Sequence, residues 1–513
     1  MFTHIHLHTQ YSLLDGVTKI DPLIEKLKKH KMDTCAITDH GNLYGAYKFH
    51  SKMIAADLKP IIGAEVYISP RSMDKREFGI DNKYYHLVLL AKNFEGYKNL
   101  IKIVSVANMD GFYYRPRIDY ENLKKYSNGL IATTACLSGI LSKPIFDGNE
   151  KLVEENLNKY GEMFRDNFYI EIQRNGIEEQ MKVNESLLRI ANKNSLPIVA
   201  GVDSHYLNSE DYELQEILWA IGDAKTINDP TRRTLPSKEF YVKSPTEMTT
   251  LFKDLPEAIE NTQKIADQVE MYEIKFDRVE PVFKKVDEGS TPKKMLRKLA
   301  FDGAKKKYPE MTKELEDRIN YELKVIDDKG YNDYFLIMHD FTKFCREKEI
   351  VLGMRGSGCG SVVAYAIGIT HVEPLKWELY FERFLNYERS NPPDFDLDIA
   401  DYRRDELVDY TIKEFGIDNV KQIGTFSKLQ TRQAIRDVAR VLEIDLSIAD
   451  TLSKMVEIVF GKAKSIDYML ENNKEFYEII NSSPDLVRLS DIVRKLDKTV
   501  RGVSTHACGY IIT

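Results

Sequence analysis

Near its start the chain reads Thr3-His4-Ile5-His6-Leu7-His8-Thr9, and Tyr11-Ser12-Leu13-Leu14-Asp15-Gly16 follows. The three histidines stand at alternate positions, so in a strand their imidazoles would share one face. Asp15 comes next, in a turn beside Gly16. Imidazole and carboxylate groups brought together are ligands for zinc or a similar divalent ion. The opening of the chain therefore predicts a metal site.

More residues of ligand type stand within or at the ends of apolar runs in residues 1–210. They are His40 in Thr38-Asp39-His40-Gly41, Glu65 in Gly63-Ala64-Glu65, His86, Cys136, and Asp203 and His205 in Asp203-Ser204-His205. These runs alternate with amphipathic stretches, which favours a parallel sheet or barrel with helices outside and its chemistry in the loops after the strands. Two or three ions there could activate a water molecule and hold both oxygens of a phosphoester. A lone histidine is usually a surface or core residue and not a metal ligand. We interpret His30, His50, His339 and His371 as such residues.

Composition excludes several classes of protein. The chain has 513 residues, with 73 Lys+Arg, 80 Asp+Glu and a net charge of -7. At roughly 150 residues per domain we expect about three domains. Its apolar runs are shorter than the about 20 residues that cross a bilayer, and no signal peptide is visible. Five dispersed cysteines make no disulfide framework, so we expect a cytoplasmic protein that does not contact a membrane.

A glycine-rich loop lies in the second half of the chain, between two apolar stretches. It reads Arg355-Gly356-Ser357-Gly358-Cys359-Gly360-Ser361. Glycines let backbone N–H groups approach an anion, and a helix start after the loop would add a positive dipole end. The loop lacks the Gly-Lys-Ser/Thr ending of a Walker A loop. A simple turn explains it as well as a phosphate site does.

An acidic stretch, Pro393-Asp394-Phe395-Asp396-Leu397-Asp398-Ile399, follows downstream. In a strand the aspartates would point to one side and the apolar residues to the other. Adjacent carboxylates on that face could grip shared divalent ions. A solvated edge strand is the alternative. With the glycine loop, Arg383 and Arg389 nearby, we favour a two-magnesium nucleotidyl-transfer site.

Basic residues recur at helical spacing near the C-terminus. Lys428, Arg432, Arg436 and Arg440 are four apart, and Arg494, Lys498 and Arg501 repeat the pattern. A solvated helix face is the ordinary explanation, but few acids interrupt the first stripe, so we predict contact with a phosphate backbone. Arg115 and Arg117, in Gly111-Phe112-Tyr113-Tyr114-Arg115-Pro116-Arg117, form a second candidate nucleic-acid patch with stacking aromatics beside it.

On these motifs the first segment resembles the PHP (polymerase and histidinol phosphatase) domain that begins bacterial replicative DNA polymerase III alpha subunits. The resemblance implies a distorted β/α barrel that holds up to three zinc or manganese ions and acts as a 3′–5′ proofreading exonuclease. It also implies nine ligands, which we call the ligand cluster: His6, His8, Asp15, His40, Glu65, His86, Cys136, Asp203 and His205. By the same resemblance His4 is a neighbour of the cluster and not a ligand.

The second segment resembles the palm of the same family, through Arg355-Gly356-Ser357, Phe381-Glu382-Arg383-Phe384-Leu385-Asn386, Glu388-Arg389 and Pro393-Asp394-Phe395-Asp396. The resemblance makes Asp394 and Asp396 the catalytic ligands of two Mg²⁺ ions. It implies that Arg355, Gly356, Ser357, Arg383 and Arg389 contact the incoming triphosphate. Met354 departs from the family, which usually has glycine before the arginine.

The resemblance covers essentially the whole chain and implies a domain order. We expect an α/β chain with a PHP domain at residues 1–272, a mixed α+β nucleotidyltransferase-like palm at 273–427, a helical thumb at 428–503 and a return into the palm at 504–513. Primer–template DNA, deoxynucleoside triphosphates, the remainder of the polymerase and, through that part, a sliding clamp are the expected partners. Two rival hypotheses are a stand-alone phosphoesterase of the histidinol-phosphatase type and a catalytically silent replisome scaffold.

We predict that the purified chain does not extend a primer by itself. In the family a third catalytic aspartate lies on a later palm strand, which we place beyond Thr513, and two carboxylates alone should bind Mg²⁺ poorly. A labelled primer annealed to a template, incubated with Mg²⁺ and all four deoxynucleotides, measures this directly. Robust extension by the chain alone would refute the expectation.

Overall fold

A computed structural model describes residues 2–277, 279–388 and 391–513 of the chain. The structure forms two compact units, and each is assembled from two separate parts of the sequence. The first unit consists of Met1–Lys275 and Phe426–Ser504, and the second consists of Phe276–Thr425 and Thr505–Thr513.

A curled mixed sheet forms the centre of the first unit. Its strands are β1 Thr34–Ile37, β2 Lys59–Ile68, β3 Tyr85–Ala91, β4 Phe112–Tyr113, β5 Arg115–Ile118, β6 Leu130–Thr133, β7 Phe168–Gln173 and β8 Ile198–Gly201. They are hydrogen-bonded in the order β4-β5-β2-β3-β6-β7-β8, with β1 also beside β2. Parallel pairs predominate, but β3 runs antiparallel to both β2 and β6. The sheet is therefore mixed rather than purely parallel.

The N-terminal segment joins the two ends of this sheet. On one side, the backbone N–H of Ala36 in β1 donates to His4. On the other side, the N–H of His8 donates to the carbonyl of Ser204, just after β8, at 2.7 Å. The prediction of a distorted β/α barrel is confirmed. The prediction that His4, His6 and His8 lie in a regular strand is wrong, because this segment makes only isolated bridges and bends at His6.

Helices cover the outside of the curled sheet. They are α1 Ile20–Lys29, α2 Ala46–Ala55, α3 Phe94–Met109, α4 Tyr120–Lys125, α5 Ser142–Phe146, α6 Glu150–Phe164, α7 Glu178–Asn194, α8 Tyr212–Gly222, α9 Pro245–Leu251 and α10 Pro256–Gln268. Their apolar residues recur at helical spacing; in α1, for example, Leu23, Ile24 and Leu27 are buried. This leaves the loops at the strand ends to form a site.

The helical stretch at residues 426–504 belongs to the first unit. It contains α16 Thr431–Val441, α17 Leu446–Met455, a short hairpin of β12 Ile458–Val459 and β13 Lys462–Ala463, α18 Ile466–Asn472, α19 Lys474–Ile480 and α20 Pro484–Leu496. Its apolar core also takes in α8, through Leu214, Ile217 and Leu218. Helix α8 thus joins the barrel region to the helical stretch.

A cationic side chain of the barrel region caps a helix end in the helical stretch, and a cationic side chain of the helical stretch caps a helix end in the barrel region. The Lys19 ammonium, just before α1, donates to the carbonyls of Lys495 and Asp497 at the end of α20, at 2.8 and 2.7 Å. In return, the Arg440 guanidinium on α16 donates to the Lys225 and Ile221 carbonyls near the end of α8, at 3.0 and 3.5 Å. The last carbonyls of a helix lack i+4 donors, and a cation suits the negative end of the helix dipole.

The second unit packs helices against small sheets. Its elements are α11 Pro292–Lys307, α12 Lys313–Asp328, α13 Asn332–Glu347, β9 Leu352–Arg355, α14 Val362–Ala366, β10 Asp396–Ile399 and α15 Arg404–Phe415. Strand β9 pairs with β10, and β11 Val420–Lys428 pairs with β14 Val500–Ile512. Thr312 caps α12, accepting from the N–H of Leu315, and Gly330 follows the helix at φ +78°.

None of the helices in the described part of the chain combines the length and the apolar composition that crossing a membrane requires.

Replacing Arg440 by Ala is expected to destabilise the first unit by about 1–2 kcal/mol, because it removes the guanidinium hydrogen bonds to the Lys225 and Ile221 carbonyls near the end of α8. Arg436→Ala is the matched control on the same helix, since the Arg436 guanidinium pairs only with the exposed carboxylate of Asp450 in the contacts described. Urea unfolding followed by circular dichroism measures both. Equal midpoints for the two variants would contradict the capping role.

Candidate functional site

The structure brings the nine residues of the ligand cluster together at one end of the curled sheet, around the buried carboxylate of Glu65. Glu65 comes from the middle of β2, where a bridge joins it to His40. Four imidazoles surround its oxygens: His86 Nδ1 and His40 Nδ1 at 2.8 Å each, His6 Nε2 at 3.4 Å and His8 Nε2 at 3.5 Å. One carboxylate thus stands at the centre of four imidazoles.

Asp203 supplies a second buried carboxylate, from the turn after β8. Its Oδ1 lies 3.1 Å from Nε2 of His8, 3.3 Å from Nε2 of His6 and 3.5 Å from Nδ1 of His205. The backbone of Asp203 has φ +59°, a left-handed conformation that non-glycine residues rarely adopt. The close packing around the turn holds this strained geometry, which aims the carboxylate inward.

Cys136 and Asp15 complete the cluster from two further loops. The Cys136 thiol, just after β6, lies 3.5 Å from His86 Nδ1 and 3.7 Å from Glu65 Oε1. Asp15 Oδ2 lies 3.5 Å from Nε2 of His40. His4, by contrast, turns away and its Nε2 bonds the carbonyl of Lys243 at 2.9 Å, so it stands outside the cluster.

Neighbouring side chains fix which imidazole nitrogens face the cluster. The Ser12 hydroxyl donates to Asp39 at 2.8 Å and so accepts from Nδ1 of His8 at 3.0 Å. Likewise, the Glu171 carboxylate accepts from Nδ1 of His6 at 2.8 Å. With the proton on Nδ1, each ring turns the lone pair of Nε2 toward the oxygens of Glu65 and Asp203.

Lone pairs that face carboxylate oxygens across 3.1–3.5 Å repel one another unless a cation lies between them. Several buried atoms in the cluster accordingly have no hydrogen-bond partner: His6 Nε2, His8 Nε2, His40 Nδ1, Glu65 Oε2 and Asp203 Oδ1. Divalent ions would satisfy these atoms, and the mixture of nitrogen, oxygen and sulfur suits zinc or manganese. The residues present therefore fit a metal centre.

Three groups in the cluster have ligand atoms within 4.8 Å of one another: His8, His40 and His205; His6, His8 and Asp203; and His40, Glu65 and His86. Burial, with the neighbouring His40 and His205, holds the pKa of His8 well below its usual range. Burial would raise the pKa of Glu65, but His86 and His40 lower it well below its usual range. His8 and Glu65 are thus held as the neutral imidazole and the ionised carboxylate that bind metals. Burial would lower the pKa of His6 and His40, but the surrounding carboxylates raise it, for His40 to about 9, so these two imidazoles would release a proton when a metal binds.

Sequence reasoning missed the residues that support the cluster. Glu171 lies in β7 and also accepts from Thr133 and from Gln173, the latter at 2.7 Å. An ionisable residue inside the apolar run Phe168 to Ile172 was the available signal. Trp219 of α8 donates its indole N–H to Asp15, and no local pattern pointed to that contact.

The two predicted nucleic-acid arginines beside the cluster differ. Arg115 is exposed, next to the hydroxyls of Tyr67 and Tyr84. Arg117 is fully buried, and its guanidinium donates to the carbonyls of Gly111, Asp81, Met73 and Lys75. The prediction that Arg117 contacts DNA is wrong, since burial keeps its guanidinium from any external phosphate.

In the second unit, the predicted acidic stretch lies beside the glycine loop. Asp396, Leu397, Asp398 and Ile399 form β10, with the aspartates exposed and the apolar residues half-buried, as alternation predicts. The strand starts only at Asp396, so Asp394 precedes it. In the antiparallel register Asp396 faces Arg355, whose guanidinium lies 3.5 Å from Asp396 Oδ2 and 3.1 Å from Asp398 Oδ1.

The turn after β9 places Gly356 next to these carboxylates. Gly356 has φ +85°, and a Cβ there would lie 3.5 Å from Asp396 Oδ2. Ser357 follows in a 3-10 turn, Ser357–Gly360. Met354, the departure from the family, points to the opposite side, where its methyl group and the Phe395 ring close over Gly358. It therefore leaves the Arg355 face of the loop unobstructed.

The start of α14 is not available as an anion site. The buried Glu322 carboxylate of α12 accepts from the N–H groups of Val362 and Val363, at 3.0 Å each, and from the Ser361 hydroxyl at 2.8 Å. An internal anion thus occupies the helix N-terminus that we expected to help hold phosphate. Only the first part of the loop, residues 355–357, remains for that role.

The last two predicted nucleotide contacts are Arg383 and Arg389. Arg383 is exposed at the end of the 3-10 turn Phe381–Arg383, and this turn lies beside the glycine loop, because a Cβ at Gly360 would lie 2.7 Å from the Tyr380 carbonyl. Arg389 lies outside the described residues.

The predicted basic stripe is largely engaged within the protein. Arg432 donates to the Val456 carbonyl after α17, Arg436 pairs with Asp450 at 2.8 Å, and Arg440 caps α8. Lys428 is exposed in β11. The spacing correctly indicates a helix for the three arginines but not for Lys428, which precedes α16. Because the guanidinium groups of Arg432 and Arg440 join helices, the continuous phosphate-binding stripe that we predicted is not formed.

Comparison with known proteins gives two family matches. Residues 294–513 match the family described as bacterial DNA polymerase III alpha NTPase domain, and residues 4–175 match the PHP domain. Matches to single proteins cover 100% of this chain. They are to DNA polymerase III subunit alpha of Borreliella burgdorferi (42% identity, 45% of that protein), Treponema pallidum (38%, 44%) and Aquifex aeolicus (38%, 48%). The chain spans just under half the length of these curated relatives.

Replacing Glu171 by Gln is expected to weaken metal binding about 10- to 100-fold, because the amide no longer holds the His6 ring as a carboxylate does. Competition with a fluorescent zinc chelator measures the affinity. Glu179→Gln, an exposed change on α7, is the matched control. Unchanged zinc affinity in Glu171→Gln would show that Glu171 does not orient a ligand.

Proposed function

The chain belongs to the family of bacterial DNA polymerase III alpha subunits, and we propose that it carries two centres of such a polymerase. The first is a metal-dependent 3′–5′ exonuclease in the PHP domain. The second is the part of a two-magnesium polymerase site that lies on the palm. The observation that carries the first proposal is the convergence of all nine ligand-type side chains, with buried atoms that lack partners.

The exonuclease centre would use the cluster in the following way. When bound there, divalent ions would activate a water molecule and hold the oxygens of the scissile phosphodiester. His6, His8, His40, His86 and His205 would supply nitrogen ligands, Cys136 a thiolate, and Asp15, Glu65 and Asp203 carboxylates. Glu171 and Ser12 would keep two of the imidazoles in the metal-binding tautomer. Burial of the ligands excludes bulk water and strengthens each interaction with charge.

On the palm, we propose that Asp394 and Asp396 hold two Mg²⁺ ions and that Arg355, Gly356, Ser357, Arg383 and Arg389 contact the triphosphate. Support comes from β9 and β10, which set Arg355 against Asp396. A guanidinium beside carboxylates provides both charges that a magnesium–triphosphate complex needs.

The expected partners are primer–template DNA, deoxynucleotides, the rest of the polymerase and, through it, a sliding clamp, in the bacterial cytoplasm. Lys428 and Arg115 are the exposed candidates for DNA contact.

A DNA digestion assay tests the exonuclease. The chain is incubated with a 3′-labelled single strand and manganese or zinc, and we expect release of the label. Changing Asp203 and His205 to Ala should reduce the rate by at least about a hundredfold, because both side chains face the metal positions.

His30→Ala is the control, a histidine outside the cluster, and should keep full activity. If Asp203→Ala and His205→Ala digest the strand as fast as the unchanged chain, the cluster is not the nuclease. If the unchanged chain binds metal and releases no label, the rival hypothesis of a silent scaffold is favoured.

A further inference from the structure

A short hairpin with exposed aromatic rings lies beside the ligand cluster. Strands β4 and β5 pair through Tyr113 and Arg115, so Tyr114 alone makes the turn. Tyr114 has φ +61°, a left-handed conformation that a large side chain adopts only at a cost. Glycine or asparagine would adopt this conformation at a lower cost. The aromatic side chain of Tyr114 is therefore not required by the turn itself.

The buried Arg117 fixes this hairpin in place. Its guanidinium reaches Gly111 at the hairpin base and Asp81, Met73 and Lys75 on the loop at residues 71–84. The backbone of Gly111 also approaches the Arg117 carbonyl so closely that a Cβ would lie 1.9 Å from it. The buried Arg117 guanidinium therefore holds the hairpin and the loop together as one structure.

Three aromatic rings project from this structure into solvent. Phe78 on the loop is 75% exposed, Tyr114 at the tip 60% and Phe112 in β4 53%. The rings of Phe78 and Tyr114 have centroids 6.5 Å apart. Single exposed apolar residues are common, but exposed rings that contact each other beside a strained turn indicate a binding surface. We call these three rings the aromatic platform.

The platform is connected directly to the ligand cluster. Pro116 of the hairpin lies against Gly41, the residue after His40. Next to the Arg115 guanidinium stand Tyr67 and Tyr84. The Tyr84 ring stacks on His86 at 5.8 Å between centroids, and the Tyr67 ring stacks on His40 at 5.9 Å. A path of one arginine and two tyrosines thus leads from the platform to two predicted metal ligands.

Charge on the surface favours an anionic occupant. Lys75, Arg76 and Lys83 are exposed on the loop, and Arg115 is exposed on the hairpin. The loop also carries the acids Asp74, Glu77 and Asp81, of which Glu77 and Asp81 share the Arg71 guanidinium, so its four cations leave a net charge of +1. Aromatic rings interleaved with cations are the arrangement that binds single-stranded nucleic acid, through base stacking and phosphate contacts.

We propose that the aromatic platform binds the unpaired 3′-terminal nucleotides of a DNA strand and that Arg115 holds a backbone phosphate at the entrance to the ligand cluster. A blunt duplex exposes only the outer face of its terminal pair, whereas successive unpaired nucleotides can each stack on a ring, so the platform favours a frayed end over a blunt duplex. The inference deepens the proposed exonuclease and rests on it for the identity of the substrate. It assigns Arg117 a positioning role in place of the predicted DNA contact.

Binding is measured with the full chain and a fluorescein-labelled ten-nucleotide oligothymidylate, by anisotropy in EDTA so that nothing is cleaved. Tyr114→Asn removes the ring and suits the left-handed turn, so folding is preserved. Together with Phe78→Ser it should weaken binding about tenfold. Tyr114→Phe should bind like the unchanged chain, and Tyr477→Asn, an exposed tyrosine on α19, is the matched control.

Cleavage separates this inference from the proposed function. With manganese present, Tyr114→Asn should slow digestion of the oligonucleotide about tenfold and leave hydrolysis of a small diester, the p-nitrophenyl ester of thymidine 5′-phosphate, unchanged. If the chain cleaves neither substrate, the exonuclease proposal fails, and weakened oligonucleotide binding by the variants would still support the platform. If the variants bind the oligonucleotide as tightly as the unchanged chain, the platform serves another partner and the inference is overturned.

Discussion

The burial of Glu65 among imidazoles is the constraint on which the first unit depends. An ionised carboxylate in a protein interior is costly unless opposite charges or hydrogen bonds surround it. Glu65 comes from the middle of a strand, and its partners come from four other segments. The sheet must therefore curl before the carboxylate is compensated. Because metal ions would complete that compensation, binding and folding of this unit are thermodynamically linked.

Much of this centre could be predicted from the sequence, since metal ligands are few in type and most of them stand near the ends of apolar runs, although Glu65 lies within one. The motifs, together with the family resemblance, indicate all nine residues of the ligand cluster, and the structure gathers them. The N-terminal segment was predicted less well, because alternation of His4, His6 and His8 also fits an irregular segment that makes two isolated bridges. Glu171 was missed because a single buried acid in an apolar run has no spacing to reveal it.

The partners of the cationic residues, by contrast, could not be predicted from the sequence. Spacing placed Arg432, Arg436 and Arg440 on one helix, but it could not say what lies opposite each guanidinium. Arg440 meets carbonyls of a helix more than two hundred positions earlier in the chain. The same holds for Glu322, which fills the helix start after the glycine loop. Long side chains find partners through tertiary structure, and local patterns do not carry that information.

The first unit is discontinuous in sequence, so its two parts leave the ribosome at different times. Helix α8 shares its apolar core with residues 429–496, and Leu14, Val17 and Ile227 add partial cover. A ribosome must add the 150 residues between Lys275 and Phe426 before that cover begins to emerge, a delay on the order of ten seconds. During that interval the nascent barrel exposes Leu214, Ile217 and Leu218, a surface on which a chaperone would act. A gene fragment that stops near residue 275 would make this transient exposure permanent and yield a protein prone to aggregation.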